Sequence, residues 1–321
     1  MKEEARMSMT GRRRGRSAIR TDDLPTEAEL FRQIVITVET AWQNRLSRAQ
    51  VDRWLSNFTG QVFSVQYERH LALWLLCNFV YYNENEVRHL CRTAYRELLH
   101  FFLSSTDLGT TGVSEDKVNE FLGQTRFYHA GRPGESGAFV LYYFRQENNL
   151  GMGNFLTHPD KLPADVKFVV FVDDVVLSGD QAERYLKRAT ADYDEDKSKV
   201  LLTFFSTIEA EDLLRAKGIA VVSCIKLDGR CKCFSPDSNV FVNHPDHREN
   251  CKIMSEAYGK RLEPHHPLGY GEGEYAFGFY YNTPDNTLPI FWSETDGWYP
   301  VMKRYEKIYG KGGVNELPRF V

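Results

Sequence analysis

The stretch Lys167-Phe168-Val169-Val170-Phe171-Val172-Asp173-Asp174-Val175-Val176-Leu177-Ser178-Gly179-Asp180-Gln181 decides how the chain is read. Its apolar run, all β-branched or aromatic, is that of a strand buried on both faces, as strands of parallel sheets are. Two carboxylates leave the run and lead into a small Ser-Gly turn, and a helical pattern begins near Gln181. In a parallel α/β sheet ligands sit outside the carboxyl ends of the strands, so Asp173 and Asp174 stand at the mouth of a site. Ser178, Gly179, Asp180 and Gln181 form the turn into the helix, whose first backbone N–H groups make a phosphate cradle. Carboxylates accept hydrogen bonds from vicinal sugar hydroxyls and help to hold Mg²⁺, so acids beside such a cradle suit a phosphorylated ribose.

Working outward, apolar β-rich runs at residues 138–144, 168–172, 200–205 and 220–225 alternate with helical patterns at 181–189 and 209–216. That alternation predicts βα units and a parallel sheet, hence an α/β fold. Upstream, Leu30, Ile34 and Val38, and again Leu71, Leu75, Leu76 and Phe79, recur at three and four, the period of helices packed on a core. Trp42, Trp54, Phe58 and Trp74 read as core aromatics of this helical region, and a further helical piece at 86–103 ends in a Ser/Thr/Gly loop. The organisation expected is a basic, disordered arm over 1–23, a helical region over 24–125 and an α/β domain with a C-terminal cap over 126–321. The cap is rich in His, Tyr, Gly, Asn and Pro, with one alternating strand-like stretch at 275–282.

Composition narrows the function classes. The 321 residues carry a net charge of −4 and are 42% hydrophobic and 13% aromatic, an ordinary globular balance. No apolar run is long enough for a membrane span, and the basic start lacks the apolar core of a secretory signal, so a cytoplasmic protein is expected. Six cysteines are too sparse for a disulfide framework. Cys231, Cys233, His244, His247 and Cys251 lie close in sequence, but their spacing matches no standard zinc pattern, and buried thiols are the plainer reading. The arm's Arg12-Arg13-Arg14 and Arg16 give it the means to touch nucleic acid, although a solvated tail explains them as well.

The turn Gly131-Arg132-Pro133-Gly134-Glu135-Ser136-Gly137 is the second candidate phosphate element. It has the glycine-rich look of a nucleotide-hydrolase phosphate loop, yet Ala138 stands where Lys or Ser is needed. Alternatively Arg132 meets a pyrophosphate, and a helix beginning near Ser136 offers the amides of Ser136 and Gly137. A plain Pro-Gly turn remains the bland alternative, as do solvated acids at the end of the strand.

The acid pair and Ser-Gly turn resemble the signature of type I phosphoribosyltransferases, in which two acids, two apolar residues and a Thr/Ser-Gly loop bind phosphoribosyl pyrophosphate (PRPP). The resemblance implies that Asp173 and Asp174 hold the ribose hydroxyls, with Mg²⁺ as cofactor, while Ser178, Gly179 and Asp180 wrap the 5′-phosphate. Gln181 departs from the family's usual Thr or Ser, and Asp180 sets a charge beside the phosphate. A wider set is similar to the phosphoribosyltransferase-like effectors of bacterial conflict systems, over about residues 45 to 305. It comprises Arg53-Trp54-Leu55-Ser56-Asn57-Phe58, Gly134-Glu135-Ser136-Gly137, the acid-pair stretch, His266-Pro267-Leu268-Gly269-Tyr270-Gly271, and Asn282-Thr283-Pro284-Asp285-Asn286 continuing to Trp292.

This likeness implies a toxic effector of antiviral defence, as found in retrons, acting on a PRPP-like or nucleotide substrate by phosphoribosyl transfer or N-glycosidic cleavage. The alternative is an inactive module of the same fold that binds a nucleotide signal or a partner protein. Its partners would be other proteins of a defence operon, such as a reverse transcriptase with its noncoding RNA and DNA. Tyr280, Tyr281, Asn282 and Asn286 suit a planar base, offering aromatic faces and amide donors and acceptors. His265 and His266 have the titration range of a general acid or base, or of a plain hydrogen-bonded loop.

Overall fold

The computed structural model describes residues 24–105, 114–132, 134–159, 161–194 and 196–305; the arginine-rich arm lies outside the described residues. The first three helices, α1 (Glu27–Thr40), α2 (Arg48–Leu55) and α3 (Val65–Cys77), each begin at a hydroxyl cap. Thr26 with Glu29, and Ser47 with Gln50, form capping boxes that satisfy otherwise orphaned amides at the first two starts. A short strand β1 (Val80–Tyr82) leads to α4 (Glu84–Ser105), and α5 (Glu115–Gly123) precedes the main sheet.

That sheet is four-stranded and parallel, in the order β2 (Thr125–His129), β3 (Phe168–Val176), β4 (Ser198–Thr207), β5 (Ile219–Leu227). The crossovers are α6 (Ser136–Glu147), α7 (Asp180–Ala189) and α8 (Ile208–Arg215). Alternate side chains of the strands divide between two cores. Phe127, Val170, Val172, Val200 and Leu202 pack under α4 and α6, while Val169, Phe171 and Leu201 pack under α7 and α8. Burial on both faces is why the β3 run is uninterruptedly apolar.

The α6 crossover does not return directly. After α6 the chain bridges the outer edge of β2, pairing Phe155 with Phe127, and Leu156 N donates to Phe127 O at 3.0 Å. It then passes back to β3 on the other side of β2. From β2 the chain therefore winds one way and from β3 the other, which makes the gap between their carboxyl ends a topological switch point, where ligands of α/β sheets bind.

The last third folds back on the helical region. Helix α9 (Pro245–Leu262) and the turn α10 (Pro289–Trp292) share one buried core with α1 to α3, and strand β6 (Phe277–Phe279) pairs parallel with β1. The 53–58 motif explains the link: Trp54 Nε1 donates to Ile290 O (2.7 Å), and Asn57 Nδ2 donates to Tyr299 O (2.9 Å). Buried Glu68 closes the same core, accepting from Gly60 N, Val62 N, Phe63 N and the Tyr258 hydroxyl.

The expected strands at 168–172, 200–205 and 220–225 and the helices between them are present. Residues 138–144, expected as a strand, are instead part of α6, whose start at Ser136 agrees with the other reading of that segment. Its buried positions, Gly137, Val140 and Phe144, follow the helical three-four spacing, which the flanking apolar residues Leu141 and Tyr142 mask. The preceding strand β2 and the long helix α9 were not read from the sequence.

Candidate functional site

Three chain segments meet at the switch point. The first is the carboxyl end of β3. Asp173 is half-buried and lines the cleft, its Oδ1 accepting the Asp174 amide at 3.0 Å. Asp174 is 7% exposed and both of its oxygens are engaged: Oδ1 accepts from Ser136 Oγ (3.0 Å) and Val175 N (2.9 Å), Oδ2 from the Tyr281 hydroxyl (3.1 Å). Burial pushes its carboxyl above the ordinary aspartate value, and the Ser136 and Tyr281 hydrogen bonds oppose that push. Both acids line the cleft, but they differ in kind: Asp174 also ties β3 to the start of α6 and to the segment after β6.

The turn beyond β3 is held from behind. Gly179 takes a left-handed conformation (φ 78°) as the N-cap of α7, and a β-carbon there would meet Ala210 Cα at 3.4 Å. Thr207, which caps α8 by accepting from Ala210 N (3.1 Å), donates its hydroxyl to Leu177 O at 2.6 Å. Ser178, Gly179 and Gln181 line the cleft. Asp180 is exposed and does not line it, so the charge that seemed to oppose a phosphate points elsewhere.

The second wall is the turn between β2 and α6, where Gly131, Glu135 and Ser136 face the cleft. Gly131 adopts φ 89°, and Glu135 Oε2 accepts from Arg132 N (3.2 Å) and Gln181 Nε2 (3.4 Å), joining the two phosphate-type turns. A β-carbon on Gly137 would lie 2.3 Å from Ala130 O and 3.0 Å from Val172 O, so only glycine lets α6 begin against the strand ends. Arg132, expected to meet a pyrophosphate, is exposed and off the cleft lining.

The third wall comes from the C-terminal segment: Asn282, Pro284, Asp285, Asn286, Tyr270 and Arg304. Asn286 Nδ2 donates to Tyr270 O (2.9 Å), and Asn282 Oδ1 accepts from Tyr305 N (3.1 Å). Arg304 donates to Thr283 O (2.7 Å) and Asp285 Oδ2 (3.0 Å) while lying over the Trp292 ring. Tyr280 and Tyr281 do not line the cleft. Tyr281 stacks on Phe279 at 5.2 Å and 8°, and burial with the Asp174 charge holds its hydroxyl firmly protonated, a donor at neutral pH. Tyr280 lies against Phe139. The aromatic rings facing the cleft are Tyr185 and Tyr270.

The sequence profile of the PRTase-CE family matches residues 51–304, a span that holds all three walls. The chain belongs to the PRTase-CE family. Comparisons with the curated proteins and with the solved structures find no match. Family membership and the α/β architecture together give this PRTase-CE chain a phosphoribosyltransferase-type fold.

The PRTase-CE cleft is acidic: Glu135, Asp173, Asp174 and Asp285 face only Arg184 and Arg304 among its charged lining. Among the described residues no three His, Cys, Asp or Glu side chains cluster as a metal site. Of the acid pair, Asp173 fits the single-carboxylate role that Mg²⁺ takes beside substrate phosphates, whereas Asp174 has both oxygens occupied. The cysteine and histidine set gathers no zinc centre: Cys233 and Cys251 are buried thiols, and His247 Nδ1 pairs with the Tyr67 hydroxyl at 2.9 Å. His265 is exposed and His266 lies against Tyr270 at 4.6 Å, neither lining the cleft. Among the described residues no helix is long and apolar enough to cross a membrane.

Thr207, Glu135, Tyr270 and Arg304 were not read as site residues. Glu135 and Tyr270 lie within turns that the sequence did single out, at residues 131–137 and 266–271, but their own roles depend on tertiary contacts; Arg304 has no local signal, and Thr207 only its N-cap pattern.

Proposed function

We propose that this PRTase-CE chain binds a 5-phosphoribosyl ligand, PRPP or a nucleotide, in the switch-point cleft and makes or breaks a bond at the ribose C1. The observation that carries the reading is the convergence of Asp173, the Leu177-Ser178-Gly179 turn and the Glu135-Ser136 turn at the gap between β2 and β3. Asp173 accepts the ribose hydroxyls. The Ser178 hydroxyl and the amides opening α7 take the 5′-phosphate, and the amides opening α6 at Ser136 and Gly137 take the pyrophosphate or other leaving group. Tyr270, Asn282 and Asn286 hold the base, the ring by stacking and the amides at its edge. Asp174 is a positioning residue.

Asp173 would hold Mg²⁺ beside the ligand's phosphates, and the ion would supply the charge neutralisation that an acidic cleft lacks. Departure of the leaving group from C1 through an oxocarbenium-like transition state inverts that carbon, with pyrophosphate, a base or water as nucleophile. In the cell the reading is a toxic effector of antiviral defence, partnered by other products of its operon, including a reverse transcriptase with its noncoding RNA and DNA, and touching nucleic acid through the arginine-rich arm.

A second reading, a nucleotide-sensing module without turnover, is favoured by the acid excess of the cleft and by the full engagement of Asp174. Incubation of the purified chain with PRPP, NAD and nucleotides, followed by mass spectrometry, separates the two. Product formed by the wild type and lost in Asp173→Asn supports the enzyme. Ligand retained unchanged, together with toxicity that survives Asp173→Asn, selects the module.

A further inference from the structure

A second cavity, of about 490 Å³, backs directly onto the cleft. Its rings are Tyr81, Phe279, Tyr280, Trp298 and Tyr299, and its rim carries Arg45 and Lys303 against one acid, Glu294. The Arg53 guanidinium covers the Tyr299 ring at 4.2 Å, adding a third positive charge next to the lining. Trp298 is buried, its Nε1 donated to Ile290 O (3.0 Å) and its ring packed against Phe58 and Tyr258, so it forms the floor and the partly exposed rings of Tyr280 and Tyr299 are the ones a ligand can reach. Aromatic faces with cations at the rim select a flat, anionic molecule, since the rings stack on a heterocycle while Arg and Lys meet a phosphate.

Two stretches, residues 279–286 and 303–304, contribute neighbouring residues to both this cavity and the cleft. Asn282, Pro284, Asp285, Asn286 and Arg304 face the cleft, while Phe279, Tyr280, Thr283 and Lys303 face the second cavity. One bond joins the two sides: Arg304, which pairs with Asp285 on the cleft side, donates to Thr283 O (2.7 Å), while Thr283 Oγ1 donates to Lys303 O (2.8 Å) within the second-cavity side. A molecule seated against Thr283 and Lys303 therefore bears on the same backbone that sets Asn282, Asp285 and Arg304.

We propose that this cavity is a second ligand site, for a nucleoside monophosphate, and that its occupancy changes the affinity of the cleft through the shared wall. The binding claim stands on the cavity alone; the coupling rests on the proposed function of the cleft.

Calorimetric titration of the full chain with AMP and GMP tests the site. Saturable binding is expected. It should weaken at least tenfold in the Arg45→Ala, Lys303→Ala double variant, whose two side chains are exposed and whose loss leaves the core intact, and stay within about twofold in Asp173→Asn. Absence of binding by either nucleotide overturns the site, as does binding that Asp173→Asn abolishes and the double variant retains. A second titration, of PRPP with and without saturating AMP, tests the coupling, with at least a threefold change in PRPP affinity expected in the wild type and none in the Arg45→Ala, Lys303→Ala double variant, since competition inside the cleft would move both proteins alike. PRPP binding that AMP leaves unmoved overturns the coupling. Failure of PRPP to bind at all, with the AMP results as expected, overturns the reading of the cleft and leaves the second site supported.

Discussion

Replacing Tyr281 by Phe removes one oxygen and no ring, so the Phe279 and Phe139 packing is kept while Asp174 Oδ2 loses the Tyr281 hydroxyl as a donor. A hydrogen bond to a charged group contributes about 1.5–3 kcal/mol. Losing a bond that favours the ionised form lifts the Asp174 pKa further above its already raised position. The pH dependence follows from that direction. A carboxyl raised by burial binds more protons folded than unfolded, so its contribution to stability is greatest when protonated and declines as pH rises through the folded value. The gap between wild type and Tyr281→Phe should thus be small in acid, where both carry a neutral Asp174, widen as pH rises through the wild-type value, and level off at about 1.5–3 kcal/mol. Urea unfolding across pH measures the gap, and ¹³C carboxyl NMR follows Asp174 itself. A gap that is independent of pH, or widest in acid, would refute the claim that Tyr281 serves the Asp174 carboxylate.

Gly137→Ala places a methyl group 2.3 Å from Ala130 O and should shift the start of α6, costing about 1–3 kcal/mol and displacing Ser136 from Asp174; unfolding curves unchanged from wild type would show that the helix start has room. Glu68→Ala orphans four donors in the N-terminal core and should cost about 3–5 kcal/mol by denaturant titration. Although burial alone would raise Glu68, the Tyr258 hydroxyl and three amides hold it below the ordinary glutamate value, so its contribution is present above that value and fades as pH falls through the lowered one; the penalty of Glu68→Ala should shrink in acid. Thr207→Val removes the donor to Leu177 O and should weaken PRPP binding several-fold while costing about 1 kcal/mol of stability; a ligand affinity equal to wild type would mean that the Ser-Gly turn keeps its shape without Thr207.

The sheet was legible because strands buried on both faces must be apolar, and β3 over residues 168–172 and β4 over 200–202 obey that rule in plain view, while the edge strand β5 keeps only its Ile219–Val222 run apolar. The 138–144 run misled for the same reason. A helix clamped between a sheet and α4 is also apolar nearly all round, and periodicity cannot separate the two over so few residues. Within the site, Asp173 and the Ser178-Gly179 turn were recognisable because their chemistry is local: acids, a small turn and a helix start follow one another in the chain. The division of labour between Asp173 and Asp174 was not, since it depends on Ser136 and Tyr281 arriving from segments 38 and 107 positions away. The placement of the aromatic rings was hidden by a similar gap. Tyr280 and Tyr281 sit beside the Asn motif in sequence, yet the turn at residues 279–282, closed by Phe279 N donating to Asn282 O, turns them away from the cleft and leaves Tyr270 facing it.

The central claim is that Asp173 and the turn at Gly179 form a phosphoribosyl cradle, and calorimetric titration of PRPP in the presence of Mg²⁺ tests it most directly. The account predicts saturable binding by the wild type and a loss of at least tenfold, about 1.4 kcal/mol, in Asp173→Asn. Absence of PRPP binding, or equal affinity in the two proteins, would contradict it.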